Sequence, residues 1–211
     1  MWACGAAGSA LEWHSRGQGF DPPQVHHLLP LLNSICVYCG SASGFKPAYV
    51  DAAREMGQLL ASTGRTLVYG GGGIGLMGAA ARAAMAAGGR VIGVIPTHLN
   101  TRERALDEVD LRVVQSMHER KQLMADLSDA FVALPGGLGT FDELFEILTW
   151  NQIGLHNKPV GVLNVAGYFD ALLAMIDHAV REGFAPSVAR SRIVSAETPQ
   201  SLIDSLERVV G

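Results

Sequence analysis

The chain has 211 residues, 48% of them apolar and 17% charged, which fits one generous domain and is too apolar for a disordered chain. Sixteen Lys and Arg against twenty Asp and Glu leave a formal charge of −4. No basic stripe of the kind that grips nucleic-acid phosphates is visible, so no nucleic-acid partner is expected.

Nor does any apolar run approach the ~18 residues of a membrane span. The first residues show neither the basic n-region nor the apolar h-region of a signal peptide, so the expectation is a cytoplasmic protein with no membrane partner. Cys4, Cys36 and Cys39 are too few and odd in number for a disulfide framework. Cys36 and Cys39 spell C-x-x-C, but inside an apolar, strand-like run. Residues three apart on a strand point to opposite faces, which argues against a redox or metal pair. The seven histidines show no zinc spacing, and no metal is expected.

In chain order, residues 1–33 sustain no period and are rich in Gly, Ser and His. They read as a poorly ordered N-terminal extension with one short helix near Val25–Leu32. Residues 34–211 then alternate. Apolar runs at Ile35–Cys39, Thr66–Tyr69, Val91–Ile95, Ala130–Leu134 and Pro159–Leu163 read as buried strands, with a last one around Arg192–Val194. Helical stretches are Pro47–Ser62, Leu76–Ala87, Met117–Leu127, Phe141–Ile153, Tyr168–Arg181 and Pro199–Val209. This pattern predicts an α/β fold: a Rossmann-like doubly wound parallel sheet with helices on both faces, in a single domain. Ligands of such sheets bind beyond the carboxyl ends of the strands, so the motifs should sit at strand-to-helix turns.

Glycine makes up 25 residues, about 12% against a usual ~7%, and it clusters at two such turns. The first is Tyr69-Gly70-Gly71-Gly72-Gly73-Ile74-Gly75-Leu76-Met77-Gly78. Its glycines, Gly72 and Gly73 among them, could bring amides against an anion at a helix start. Alternatively they serve close helix–strand packing. The loop contains G-x-G-x-x-G, but it follows the second strand and lacks the acidic residue of a dinucleotide site, so no NAD is expected. The second is Leu134-Pro135-Gly136-Gly137-Leu138-Gly139-Thr140-Phe141-Asp142-Glu143, where Gly136, Gly137, Gly139 and Thr140 form an amide-and-hydroxyl cradle for phosphate or sugar. Thr140 and Glu143 also spell a capping box, under which Glu143 merely returns to the backbone. Glu146, at i+3, shares a helix face with Glu143. A third element, Ser116-Met117-His118-Glu119-Arg120-Lys121, opens on another capping box and then places two cations in a first turn. They oppose the helix dipole there, which calls for a nearby carboxylate or anion. His118 reads as a packing or supporting histidine.

Pro135–Glu143 matches P-G-G-x-G-T-x-x-E, and with Met117–Lys121 upstream the chain resembles the LOG family, the cytokinin riboside 5′-monophosphate phosphoribohydrolases, whose members are often labelled lysine decarboxylase-like. The resemblance covers about residues 34–183. It includes Val37-Tyr38-Cys39-Gly40-Ser41, the Gly70–Gly78 loop with Met77, Val91–Pro96, and Thr149-Trp150 through Leu163-Asn164. It implies hydrolysis of the N-glycosidic bond of an adenine nucleotide to the free base and ribose 5-phosphate. It also implies Arg120 and Glu143 as the catalytic pair, Gly136, Gly137, Gly139 and Thr140 as the phosphate loop, and Glu103, Lys121 and Thr149 as substrate contacts. Ser41, Gly72, Gly73, Met77 and Glu146 complete the candidate substrate-binding set. A homodimer is implied, with a small-molecule nucleotide as substrate and no cofactor. The decarboxylase label does not fit the lysines: pyridoxal-phosphate chemistry needs a Schiff-base lysine, and the chain offers only Lys46, Lys121 and Lys158.

Cleavage of a ribosyl–adenine bond passes through an oxocarbenium-like sugar, which a carboxylate such as Glu143 would stabilise, or would attack by activating water. A guanidinium keeps its proton, so Arg120 would orient Glu143 or hold phosphate. Asp142 or water could protonate the departing base. The alternative reading is a non-catalytic nucleotide-binding module on the same fold.

Overall fold

The computed structural model describes residues 32–99, 106 and 108–210. The expectations for residues 1–31 and for Glu103 lie outside these. Seven strands form one sheet in the order β4-β3-β2-β1-β5-β6-β7, every pairing parallel: β1 Ser34–Tyr38, β2 Thr66–Tyr69, β3 Val91–Pro96, β4 Asp110–Val114, β5 Ala130–Ala133, β6 Val160–Leu163 and β7 Ile193–Ala196. Helices among the described residues include α1 Pro47–Ser62, α2 Gly75–Ala86, α3 Met117–Asp126, α4 Leu138–Gln152, α5 Asp170–Arg181 and α6 Pro199–Val210, with a 3₁₀ turn at Val165–Gly167. The strand order reverses between β1 and β5, so the loops that follow these two strands face each other across a crevice.

Strand alternation divides the core in two. Ile35, Val37, Leu67, Tyr69, Ala130 and Val132 pack with α1, α2 and α6 on one face. Cys36, Tyr38, Val68, Phe131, Ala133 and Val160 pack with α3, α4 and α5 on the other. The inner strands β1, β2, β3, β5 and β6 are covered on both sides, which is why they read as continuous apolar runs. Cys36 and Cys39 fall on opposite faces, and burial pushes both thiols well above the usual range. β4 is a strand that the apolar runs do not predict. It is an edge strand, with Arg112 and Val113 exposed, so its sequence DLRVV needs no two-sided apolar pattern.

α1 begins at Pro47, whose fixed φ suits a first helical residue. It buries Ala52, Ala53, Met56, Gly57 and Leu60 against the alanine-rich α2. The two backbones nearly touch: a Cβ on Gly57 would stand 2.2 Å from the Ala80 carbonyl oxygen and 3.1 Å from the Ala84 nitrogen. Neither backbone atom can yield. Gly57→Ala should therefore cost more than its gain in helix propensity, at least about 1–3 kcal/mol, read as a lower denaturant midpoint; an unchanged midpoint would contradict so close an approach.

At the amino ends of β5 and β6, His156 is wired into the backbone. Its Nε2 donates to the Ile147 carbonyl at 2.9 Å, and its Nδ1 accepts from the Lys158 N–H at 3.1 Å. Acceptance at Nδ1 requires the neutral ring. Burial pulls its pKa below the ordinary 6.5; the Ile147 carbonyl opposes this and the Lys158 charge adds to it. The unfolded chain then binds the proton more tightly, so the stability that His156 contributes is complete above pH 6.5 and is lost as pH falls through the folded-state value. The melting temperature should drop as pH is lowered from 6.5 toward about 5, and His156→Gln should flatten that slope. An identical slope in the variant would show that other groups carry it.

Candidate active site

The two glycine turns and the start of α3 converge at the carboxyl end of the sheet. α3 opens at Ser116, whose hydroxyl accepts the Glu119 N–H at 3.1 Å, and Glu119 returns to accept the Gln115 N–H at 2.7 Å. The predicted capping box forms, with the reciprocal bond one residue upstream of Ser116. It sets Arg120 in the first turn pointing inward, while His118 is exposed rather than packed.

Arg120 is only 6% exposed, and its guanidinium donates three hydrogen bonds. Nε reaches the Val94 carbonyl in β3 at 3.1 Å, Nη2 the Gly70 carbonyl just beyond β2 at 3.2 Å, and Nη1 the Glu143 Oε1 at 2.9 Å. Glu143, on α4, is 7% exposed. A buried charge is tolerated only when paired and hydrogen-bonded, and each supplies that for the other. The cations that oppose the α3 dipole are thus compensated by carboxylates of α4. Beside this pair, the Lys121 Nζ sits 3.0 Å from Glu146 Oε2 and 3.2 Å from Asp142 Oδ2. Partial burial pulls the Lys121 pKa down, but hydrogen bonds and charge from Glu146 and Asp142 outweigh this and raise it above 10.5, which keeps the amine charged. Asp142 is exposed and Glu146 partly so.

The Pro135–Glu143 turn takes a form that the capping-box reading missed. Its helix starts at Leu138 with Gly137 as N-cap, so Thr140 lies inside the first turn and does not cap. Glu143, a turn further on, is bound to Arg120. Gly137, Leu138 and Gly139 are exposed, with open space around both glycines, while Thr140 is buried against Gly136. The first helical turn presents its amides where an anion could meet them.

The Gly70–Gly78 loop is spent largely on close packing. A Cβ on Gly70 would lie 1.9 Å from Arg120 Nη2 and 3.1 Å from the Met77 sulfur. Gly75, at φ +60°, abuts the Ser41 backbone, and Gly78 abuts the Gly73 carbonyl. The amides of Leu76 and Met77 donate to the Gly40 carbonyl, so part of the start of α2 is already satisfied by the loop after β1. Gly72 and Gly73 are buried, and the Gly73 carbonyl accepts from Arg82 at 2.8 Å. Met77 lies beside Gly70 and Arg120, and Ser41 lies against Gly75. Thr149 stands apart. It is six residues beyond Glu143 on α4, about 9 Å along the axis, where its hydroxyl donates to the Phe145 carbonyl and it lines a groove with Met175 and Ile176.

A family model described as "Possible lysine decarboxylase" matches residues 77–206. The cytokinin riboside 5′-monophosphate phosphoribohydrolase LOG of Oryza sativa subsp. japonica is 54% identical over 177 residues, 83% of this chain and 73% of that protein. LOG3 of Arabidopsis thaliana is 53% identical over 174 residues, 82% and 81% of the two chains. The chain belongs to the LOG family. Among solved structures, the molybdenum cofactor binding protein of Rippkaea orientalis superposes with a TM-score of 0.65 at 27% identity, over 86% of this chain and 99% of that one. The molybdenum cofactor carrier protein of Chlamydomonas reinhardtii shares the fold at 23% identity, with a TM-score of 0.63 over 85% and 98%.

Motif reading in this LOG-family chain finds Arg120, Glu143, Lys121 and Glu146. It does not find the backbone acceptors at Gly70 and Val94, nor the Tyr168 hydroxyl, which donates to the Gly136 carbonyl. Gly70 has a signal in the glycine excess; Tyr168, in a loop 32 residues after Gly136, has none. Two substitutions test the seat. Arg120→Ala strips Glu143 of its guanidinium and should cost about 3–5 kcal/mol, the usual penalty for breaking a buried pair. Gly70→Ala, which evicts Nη2, should lower the melting temperature too; a fully stable Gly70→Ala would mean that the guanidinium has another place to go.

Proposed function

We propose that this protein hydrolyses the N-glycosidic bond of cytokinin riboside 5′-monophosphates, and of AMP, to release the adenine-type base and ribose 5-phosphate. The observation that carries this reading is the buried Arg120–Glu143 pair beside the open first turn of α4, in a chain that belongs to the LOG family. In this reading Gly136, Gly137, Gly139 and Thr140 receive the 5′-phosphate. Binding energy from the phosphate, remote from the reacting carbon, orients the ribose. Glu143 faces the sugar and stabilises positive charge as the C1′–N bond breaks. Arg120, held at three points, fixes the direction of the carboxylate. Water supplies hydroxyl to C1′ and a proton to the departing base. Lys121, held charged by Asp142 and Glu146, meets the anionic end of the substrate, and Ser41, Gly72, Gly73, Met77, Glu103 and Thr149 complete the proposed contacts. The working unit is a homodimer in the cytoplasm; Ile153, Leu155, Met175 and Phe184 are large apolar side chains exposed on the monomer.

The decarboxylase label of the family model has little chemical support here. A Schiff base forms from a neutral amine, and Lys121 is held protonated by two carboxylates. Lys158 donates to the Ala125 carbonyl, and Lys46 lies over the Tyr49 ring.

Purified protein incubated with AMP and, separately, with isopentenyladenosine 5′-monophosphate should yield free base and ribose 5-phosphate by chromatography. Glu143→Gln should lower turnover at least about a hundredfold, as expected for loss of a charge aimed at the transition state. Nucleotide binding without base release, in the wild type, would instead support a non-catalytic nucleotide-binding module on the same fold.

A further inference from the structure

The phosphate cradle contains a Gly136-Gly137 step, the type of backbone most free to rotate. Gly137 is exposed, with nothing within 4 Å of where a Cβ would be. Yet the peptide between these glycines is held. Its carbonyl, on Gly136, accepts a hydrogen bond from the Tyr168 hydroxyl. The far side of Gly136 is filled by Thr140, whose Oγ1 would lie 2.1 Å from a Cβ there. A peptide unit is planar and trans, so its N–H points opposite its C=O. Fixing the Gly136 oxygen toward Tyr168 therefore fixes the Gly137 N–H in the opposite direction.

Tyr168 is itself tightly placed. Its ring meets Tyr49 edge-on at 5.6 Å and Phe169 edge-on at 5.0 Å, and stacks on Phe141, in the first turn of α4, at 6.5 Å. It follows a 3₁₀ turn in which Ala166 adopts φ 51° and ψ 32°, a left-handed conformation unfavourable for any residue with a Cβ. Asn164 braces that turn: its Oδ1 accepts the Phe169 N–H at 2.7 Å, and its Nδ2 donates to Asp170 at 2.7 Å. Strain in a residue other than glycine persists where its surroundings over-determine it, and here it delivers one ring to one carbonyl.

We infer that Tyr168 is a positioning residue, whose hydroxyl holds the Gly136-Gly137 peptide in the one orientation that aims the Gly137 N–H at the substrate's 5′-phosphate. The inference rests on the nucleotide reading above. Tyr168→Phe keeps the ring contacts and removes only the hydroxyl. KM for the nucleotide, and Kd for ribose 5-phosphate by calorimetry, should each rise roughly five- to tenfold, the scale of one hydrogen bond. The variant's kcat should stay within about twofold of wild type. Affinity for adenosine, which has no phosphate, should not change, and the melting temperature should fall by no more than about 2–4 °C, the scale of one hydrogen bond in a chain of this size. A variant that binds ribose 5-phosphate as the wild type does overturns the inference. So does one that loses ribose 5-phosphate and adenosine alike, because that is general loosening. Wild-type protein that neither binds ribose 5-phosphate nor releases base overturns the nucleotide reading itself, and this inference with it.

Discussion

The site is organised around one buried guanidinium. Removing Arg120 from water is costly unless its N–H groups find acceptors and its charge finds a counterion. Three elements meet that demand: the end of β3 through Val94, the turn after β2 through Gly70, and α4 through Glu143. Each is far from Arg120 in sequence, so the demand can be met only when the sheet is assembled and α3 and α4 lie against the same face. The same requirement fixes Glu143. Its carboxylate lies where β2, β3 and α4 converge because the guanidinium is there.

This explains the glycine excess differently from a simple anion cradle. In the Gly70–Gly78 loop, Gly70 leaves room for the arginine, Gly75 for the loop after β1, and Gly78 for the turn of its own chain. In the Pro135–Gly139 turn, Gly137 and Gly139 face open space, and only Gly136 is forced by packing, against Thr140. One glycine cluster therefore builds the seat of a side chain, while the other leaves backbone exposed. Their sequences look alike although packing forces the glycines of the first loop and, in the second, only Gly136.

Much was legible in the sequence. The alternation of apolar runs and helical stretches determined a parallel sheet covered on both faces, because each inner strand must bury both sides. The residues of the Ser116 and Pro135 motifs determined which side chains would matter, because cations in a first helical turn need anions and a P-G-G-x-G-T-x-x-E turn bares its amides. The tertiary structure decided between the alternatives that the sequence left open for them and set the geometry of each pair. Capping preference is local, and it offered Glu143 a second place at its own helix start; the buried charge of Arg120, 23 residues earlier, holds it instead. Edge strand β4 escaped notice because exposure on one side erases the pattern that marks a strand. The Tyr168–Gly136 bond depends on a loop after β6 folding back over the turn after β5. No periodicity encodes such a contact, because it joins two loops that are neighbours only once β5 and β6 lie side by side.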